Sequence, residues 1–262
     1  MTATSTITMT TDRAPALQHA APSMATLTRI ELRKSVDTRA GRWLLIAIVT
    51  LAALVVVLTL FTGDDSRTFG GFLAGAQLPT ALLLPVLGIL SVTSEWSQRT
   101  ALTTFTLVPD RKRVVAAKLA AATALGALAA FACVVVAAIG NVLALALDRG
   151  GRWDVDAALL GQALLLQVLN VLVGVAFGLL LLSSALAIVL FFVLPTAFTV
   201  VTMLVTSLSG PAGWVDLGVT MEPLFTGVMQ GEQWLRLLTA STVWLVLPLA
   251  AGTVRLHRKE IS

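Results

Sequence analysis

The sequence predicts an all-α integral membrane protein with six transmembrane helices, and three observations carry that expectation. Of its 262 residues, 57% are hydrophobic and only 12% charged, with a mean hydropathy of +0.90; an ordinary soluble domain has about a quarter of its residues charged. Charge-free stretches long enough to cross a hydrocarbon core recur along the chain. The basic residues alternate in density from one connecting segment to the next. The composition excludes a soluble globule and a disordered chain, and the single cysteine, Cys133, excludes an intrachain disulfide scaffold.

Residues 1–23 are rich in Thr, Ala and Pro and lack an apolar run, so they read as a solvated cytoplasmic tail. Over residues 24–42, Leu32, Val36 and Ala40 recur at four-residue spacing among Arg29, Arg33, Lys34, Arg39 and Arg42. Two readings fit: a basic amphipathic helix on an anionic inner leaflet, or a flexible positive flank of the first span.

Five charge-free intervals follow, 43–63 (21 residues), 68–94 (27), 119–147 (29), 157–215 (59) and 237–254 (18). A crossing needs about 20 residues, so the fourth must hold two spans, and Ser183 and Ser184 mark the turn between them. The expected spans are 43–61, 72–94, 114–141, 157–181, 185–207 and 235–254. Runs such as Ala53 to Leu60 are apolar on every side, which excludes the alternation of a membrane β-strand. Pro79, Pro85, Pro195 and Pro248 fall inside spans and are expected to bend them; Pro85 and Pro195 mark either a moving part or a tolerated kink. Gly71 with Gly75, and Gly174 with Gly178, have the spacing that permits close helix contact.

With the N-terminus inside, fourteen of the eighteen Lys and Arg fall on the cytoplasmic side. This predicts a plasma-membrane protein with both termini, including the tail 255–262, cytoplasmic. Trp43, Trp96, Trp153, Trp214 and Trp234 lie near span ends, and only Trp244 sits mid-span. The outer segment Ser209 to Arg236, punctuated by Gly and Pro, reads as short helices dipping into the outer leaflet.

No catalytic constellation is legible. His19 and His257 belong to no metal spacing, and HExxH, GxSxG and the G-x-x-x-x-G-K-[ST] phosphate loop do not occur. The span interiors contain no carboxylate; Arg236 sits at the very start of the last span, and Lys118 lies close enough to the inner surface for its stem to snorkel. A tyrosine-bearing potassium filter is excluded because the chain has no tyrosine. No site for an enzyme, a metal or a cofactor on this chain is expected, and any energy input must come from elsewhere.

The stretch Glu95-Trp-Ser-Gln-Arg99-Thr100-Ala-Leu-Thr-Thr-Phe-Thr-Leu-Val-Pro109-Asp-Arg111-Lys-Arg113, leading to Lys118, resembles the loop after the second span in membrane subunits of type 2 ABC transporters. That loop shows Glu, then Thr, a Leu-rich helix, Pro-x-Arg and a Lys opening the third span. The resemblance covers residues from about 25 to 260, departing where Arg99 replaces the usual Gly. It implies that Glu95, Arg99 and Thr100 begin a cytoplasmic coupling helix docking on an ATPase subunit, and that Pro109 and Arg111 end it. The charge-only alternative makes Arg111 to Arg113 a positive flank of the third span.

The resemblance further implies an exporter's permease, with ATP and Mg on a separate ATPase dimer and a second permease subunit, identical or different. Alternating access would move an amphiphilic or lipid-like cargo. The second and fifth spans would line the cavity, offering Gln77, Thr80, Thr196, Thr199, Thr202 and Thr206. Such threonines also commonly bond their own helix backbone. A non-transporting scaffold or sensor shares the same composition, and a channel is disfavoured because no charged ring or filter is legible. No nucleic-acid partner is expected.

Overall fold

Side-chain caps and turn residues set where the helices start and stop. The computed structural model describes residues 22–62, 66–98, 100, 106, 110–205 and 209–258. The tail up to residue 21, Arg99, most of the expected coupling segment including Pro109, Thr206 and the last four residues lie outside the described residues.

Helix α1 (Met24–Asp37) starts where the Ser23 hydroxyl accepts from the Thr26 N–H. Thr38 is extended and its hydroxyl accepts from the Gly41 N–H at 3.1 Å, opening α2 (Arg39–Thr62). The entry helix therefore ends at residue 37, and residues 39–42 belong to the first span helix. Gly41 makes this corner possible, since a Cβ there would lie 1.9 Å from the Ser35 carbonyl oxygen. Helix α3 (Phe69–Ser97) is capped by Thr68, α4 (Arg111–Ala146) by Asp110 and α5 (Ala157–Leu181) by Asp156. Leu182 then turns left-handed (φ 53°) and α6 (Ser184–Leu204) begins, so the long apolar interval divides at the two serines.

The segment after α6 forms α7 (Ser209–Val215), α8 (Leu217–Met221) and a 3₁₀ turn (Glu222–Phe225). The last span is composite, made of α9 (Glu232–Ser241), a π-helical turn (Thr242–Val246) and α10 (Leu247–Arg258). Pro248 accounts for the π turn. Its ring has no N–H for the Trp244 carbonyl four residues back, and the widened turn has the Leu247 N–H bond Thr242 instead.

Six helices are long and apolar enough to cross a membrane, and no strand occurs among the described residues; the chain is an all-helical multi-pass membrane protein. The spans are longer than expected at most ends, the third running from 111 to 146 rather than 114 to 141. At 1.5 Å per residue α4 extends about 54 Å, so it projects well beyond a core of about 30 Å.

Helices α3 and α5 form the centre. The apolar stretch of each is 61% buried, against 22% for α2 and 11% for α6. Glycines allow the approach: a Cβ on Gly174 would lie 2.2 Å from the Pro85 carbonyl oxygen, and one on Gly88 would lie 2.4 Å from that of Val171. Helices α2 and α4 pack beside α3, α1 lies against α4, and α10 packs on α5. Gly71 instead sits in its own helix cap against Ser66, while Gly75 faces Val55 of α2.

The segment between α6 and α9 is pinned by polar contacts. Gln162 of α5 donates to the Gly227 carbonyl (3.1 Å) and accepts from the Met229 N–H (3.3 Å). Thr199 of α6 donates to Asp216 (2.6 Å), and the Trp244 indole donates to the Val215 carbonyl (2.7 Å). Gly227 has φ +74°, and a Cβ there would lie 2.9 Å from the Leu159 Cα. Gln162→Leu is expected to leave the buried Met229 N–H unsatisfied and to cost about 1–3 kcal/mol. Limited proteolysis between Gly227 and Arg236 should accelerate at unchanged membrane insertion.

Candidate functional site

The end of the bundle that gathers α1, the C-termini of α3 and α5 and the N-terminus of α4 contains a network of four charges, three of them buried and Lys34 at its exposed edge. The Lys118 ammonium of α4 donates to Glu31 Oε2 (2.6 Å) and the Ser91 carbonyl (3.0 Å), and lies 3.1 Å from Glu95 Oε1. Lys34 of α1 donates to Glu31 Oε1 (2.8 Å) and Glu95 Oε1 (2.9 Å). Two carboxylates thus meet two ammoniums with no net charge. Lys118 is 5% exposed, and Glu31 and Glu95 are 7% each. Lys118 does not snorkel: its ammonium points inward, because at that level the bundle supplies carboxylates.

The network binds three elements. Glu95 lies in the last turn of α3 and Glu31 in the middle of α1, so a carboxylate from each reaches the same lysine of α4. Glu95 was expected to present itself at the start of a coupling helix; it faces the protein interior instead. Thr100 folds back on the same turn, its N–H donating to the Glu95 carbonyl (2.9 Å). Arg111 opens α4 and donates to the Leu256 carbonyl in the last turn of α10. Arg255 of α10 donates in turn to the Leu180 carbonyl, one of the orphan acceptors at the end of α5. Thr93 of α3 meets Ser184 at the start of α6 (2.7 Å).

Burial alone raises the pKa of Glu31, but the charges and hydrogen bonds of Lys118 and Lys34 outweigh it and hold the carboxyl below its ordinary value of 4.5. Burial lowers that of Lys34, yet Glu31 and Glu95 hold it above 10.5. The Glu31 contribution to stability is therefore intact above about pH 4.5 and lost as pH falls through the depressed value. That of Lys34 is intact below about pH 10.5 and lost as pH rises through the elevated one. Melting temperature in detergent is expected to stay level between these limits and to fall on the acid side, with Glu31→Gln flattening that acid limb.

The cavity beside this network, lined by Glu31, Ser35, Ser91 and Lys118, measures about 10 Å³, too small for any substrate. The expected polar wall is not assembled on one open face. Gln77 and Thr80 are fully buried within the bundle, Thr80 bonding the Ala76 carbonyl (2.9 Å) and Cys133 (3.3 Å). They are shielded because α3 is central. Thr196 bonds the Phe192 carbonyl (2.7 Å) and Thr202 that of Thr199 (2.9 Å), as threonines in apolar helices do. Thr199 bonds the Pro195 carbonyl (3.1 Å) besides Asp216.

Sequence reasoning missed Glu31 and Lys34 as site residues. The available signal was that Lys118, one turn or two inside an apolar interval, requires a carboxylate from outside the spans. The fold and this network define a multi-pass helical protein whose entry helix is ion-paired to its second and third spans. No family model matches the chain, and no curated protein matches it.

Proposed function

We propose that this chain is the permease subunit of an ATP-driven exporter that works with a separate ATPase dimer and a second permease subunit. The carrying observation is the network of Glu31, Lys34, Glu95 and Lys118. Glu95 and Lys118 stand on either side of the segment between Ser97 and Arg111, and Glu31 joins both to α1. A displacement applied to that segment by a docked ATPase would move α1, α3 and α4 together, which is the behaviour a coupling element requires. Arg111, bonded to the end of α10, extends the same connection to the last span.

ATP and Mg act on the partner subunit. This chain supplies the path, with Arg99, Thr100 and Pro109 in the docking segment. The exposed faces of α6, with Val189, Val193, Val200 and Met203, are apolar and suit an amphiphilic or lipid-like cargo. In this reading the basic end is the cytoplasmic side of the plasma membrane.

Leu102→Pro, in the expected coupling helix, tests the reading, since proline costs a helix about 3 kcal/mol. The expected result, at matched membrane expression, is loss of both cargo efflux and partner ATPase stimulation. Full retention of both, or purification that never retains an ATPase, would overturn the proposal.

A further inference from the structure

Helix α10 has two different faces. Leu256 is 3% exposed, and a Cβ on Gly252 would lie 2.7 Å from the Leu179 backbone, so Leu249, Gly252 and Leu256 form the side packed on the bundle. The opposite side carries Leu247, Ala250, Ala251, Val254, Arg255 and Arg258, all exposed and lining an open groove of about 880 Å³. These positions recur at the spacing of one helix face. The groove is apolar for its first two turns and cationic for its last, with no Asp or Glu among its lining residues.

The dimensions match one lipid. From Leu247 to Val254 the helix rises about 10 Å, within the half-thickness of about 15 Å that a single leaflet spans. The two small alanines leave room beside the helix backbone for a hydrocarbon chain. Arg255 is held in place by its bond to the Leu180 carbonyl at the end of α5. Arg258 makes no hydrogen bond or ion pair among the described residues and stands one turn further on. A guanidinium offers five donors in a planar fork suited to phosphate, so most of this donor capacity remains to be matched.

We propose that this face of α10 binds one anionic phospholipid, its phosphate held by Arg255 and Arg258 and an acyl chain lying along Leu247, Ala250, Ala251 and Val254. The site is independent of the export reading, because it requires only that α10 crosses a bilayer. Two arginines with no carboxylate partner among the described residues, at the polar end of an apolar track, select for a negative headgroup, whereas a zwitterionic lipid satisfies the phosphate contact but places its own cation beside the arginines.

The test is native mass spectrometry of the purified full chain in detergent with equal amounts of phosphatidylglycerol and phosphatidylcholine of the same acyl composition. One phosphatidylglycerol adduct is expected to be retained in preference. Arg258→Gln should weaken it about fivefold, the factor one basic residue contributes at an anionic surface. Ala251→Trp, at an exposed position, should remove it while leaving both arginines in place. Arg39→Gln, which deletes a charge elsewhere, should leave it unchanged. Equal retention of the two lipids, indifference to Ala251→Trp, or displacement by millimolar inorganic phosphate would overturn the proposal. A change of oligomeric state in Ala251→Trp would also overturn it, assigning the groove to a second copy of the chain.

Discussion

Replacing Lys118 with methionine is expected to destabilise the protein by about 3–5 kcal/mol, the cost of removing one partner from a buried ion network. The substitution keeps an unbranched side chain one atom shorter and leaves Glu31 and Glu95, each 7% exposed, sharing the single ammonium of Lys34. It also deprives the Ser91 carbonyl of its ammonium donor. A second variant separates electrostatics from packing. In Lys118→Met with Glu31→Gln, one carboxylate and one ammonium remain, Glu95 with Lys34 at 2.9 Å, and most of the loss should be recovered. Melting temperatures of the two single variants and the double variant in detergent close the cycle. Additive losses would mean that the four groups do not act as one network.

Gly174→Ala should be nearly as damaging for a different reason. The added methyl would stand 2.2 Å from the Pro85 oxygen and 2.8 Å from its carbonyl carbon, so two helix backbones must separate. Insertion of a methyl group against side chains typically costs about 1–3 kcal/mol, and a backbone contact cannot relax by changing rotamer. The control lies in the same helix: Gly161 has nothing within 4 Å of the position its Cβ would take, and Gly161→Ala should gain up to about 1 kcal/mol in helix propensity. Folded yield by size-exclusion chromatography should fall for Gly174→Ala and hold for Gly161→Ala. Equal behaviour of the two would show that the α3 and α5 contact does not limit stability.

These two sites are coupled through α3. Its Gly88 and Pro85 are held against α5, and ten residues on Glu95 is held to α1 and α4. Helix α3 is thereby held at its middle by α5 and at its end by α1 and α4. Gln162 and the Asp216 to Thr199 contact tie the segment before α9 to α5 and α6.

The sequence by itself determined that six apolar helices would form, that Ser183 would divide the long apolar interval and that Lys and Arg would gather at one end. Each follows from a local requirement: backbone polar groups in lipid must be satisfied within a helix, and a span of limited thickness caps its length. The starts of α3 and α4 lie three residues ahead of the expected 72 and 114, where the Thr68 and Asp110 side chains accept from the first free N–H groups. Only the tertiary structure decided which spans are central. Hydropathy does not distinguish a side chain facing lipid from one facing another helix, because both surroundings are apolar. For the same reason Gln77 and Thr80 looked like a cavity wall until α3 was found in the middle of the bundle. Glu95 and Lys118 carry no local sign of their partners, and their pairing with α1 depends on contacts 61 and 87 residues apart in the chain. No local pattern encodes such a distance; it is set when glycine-lined helices pack and bring Glu31, Glu95 and Lys118 together in a buried place beside Lys34.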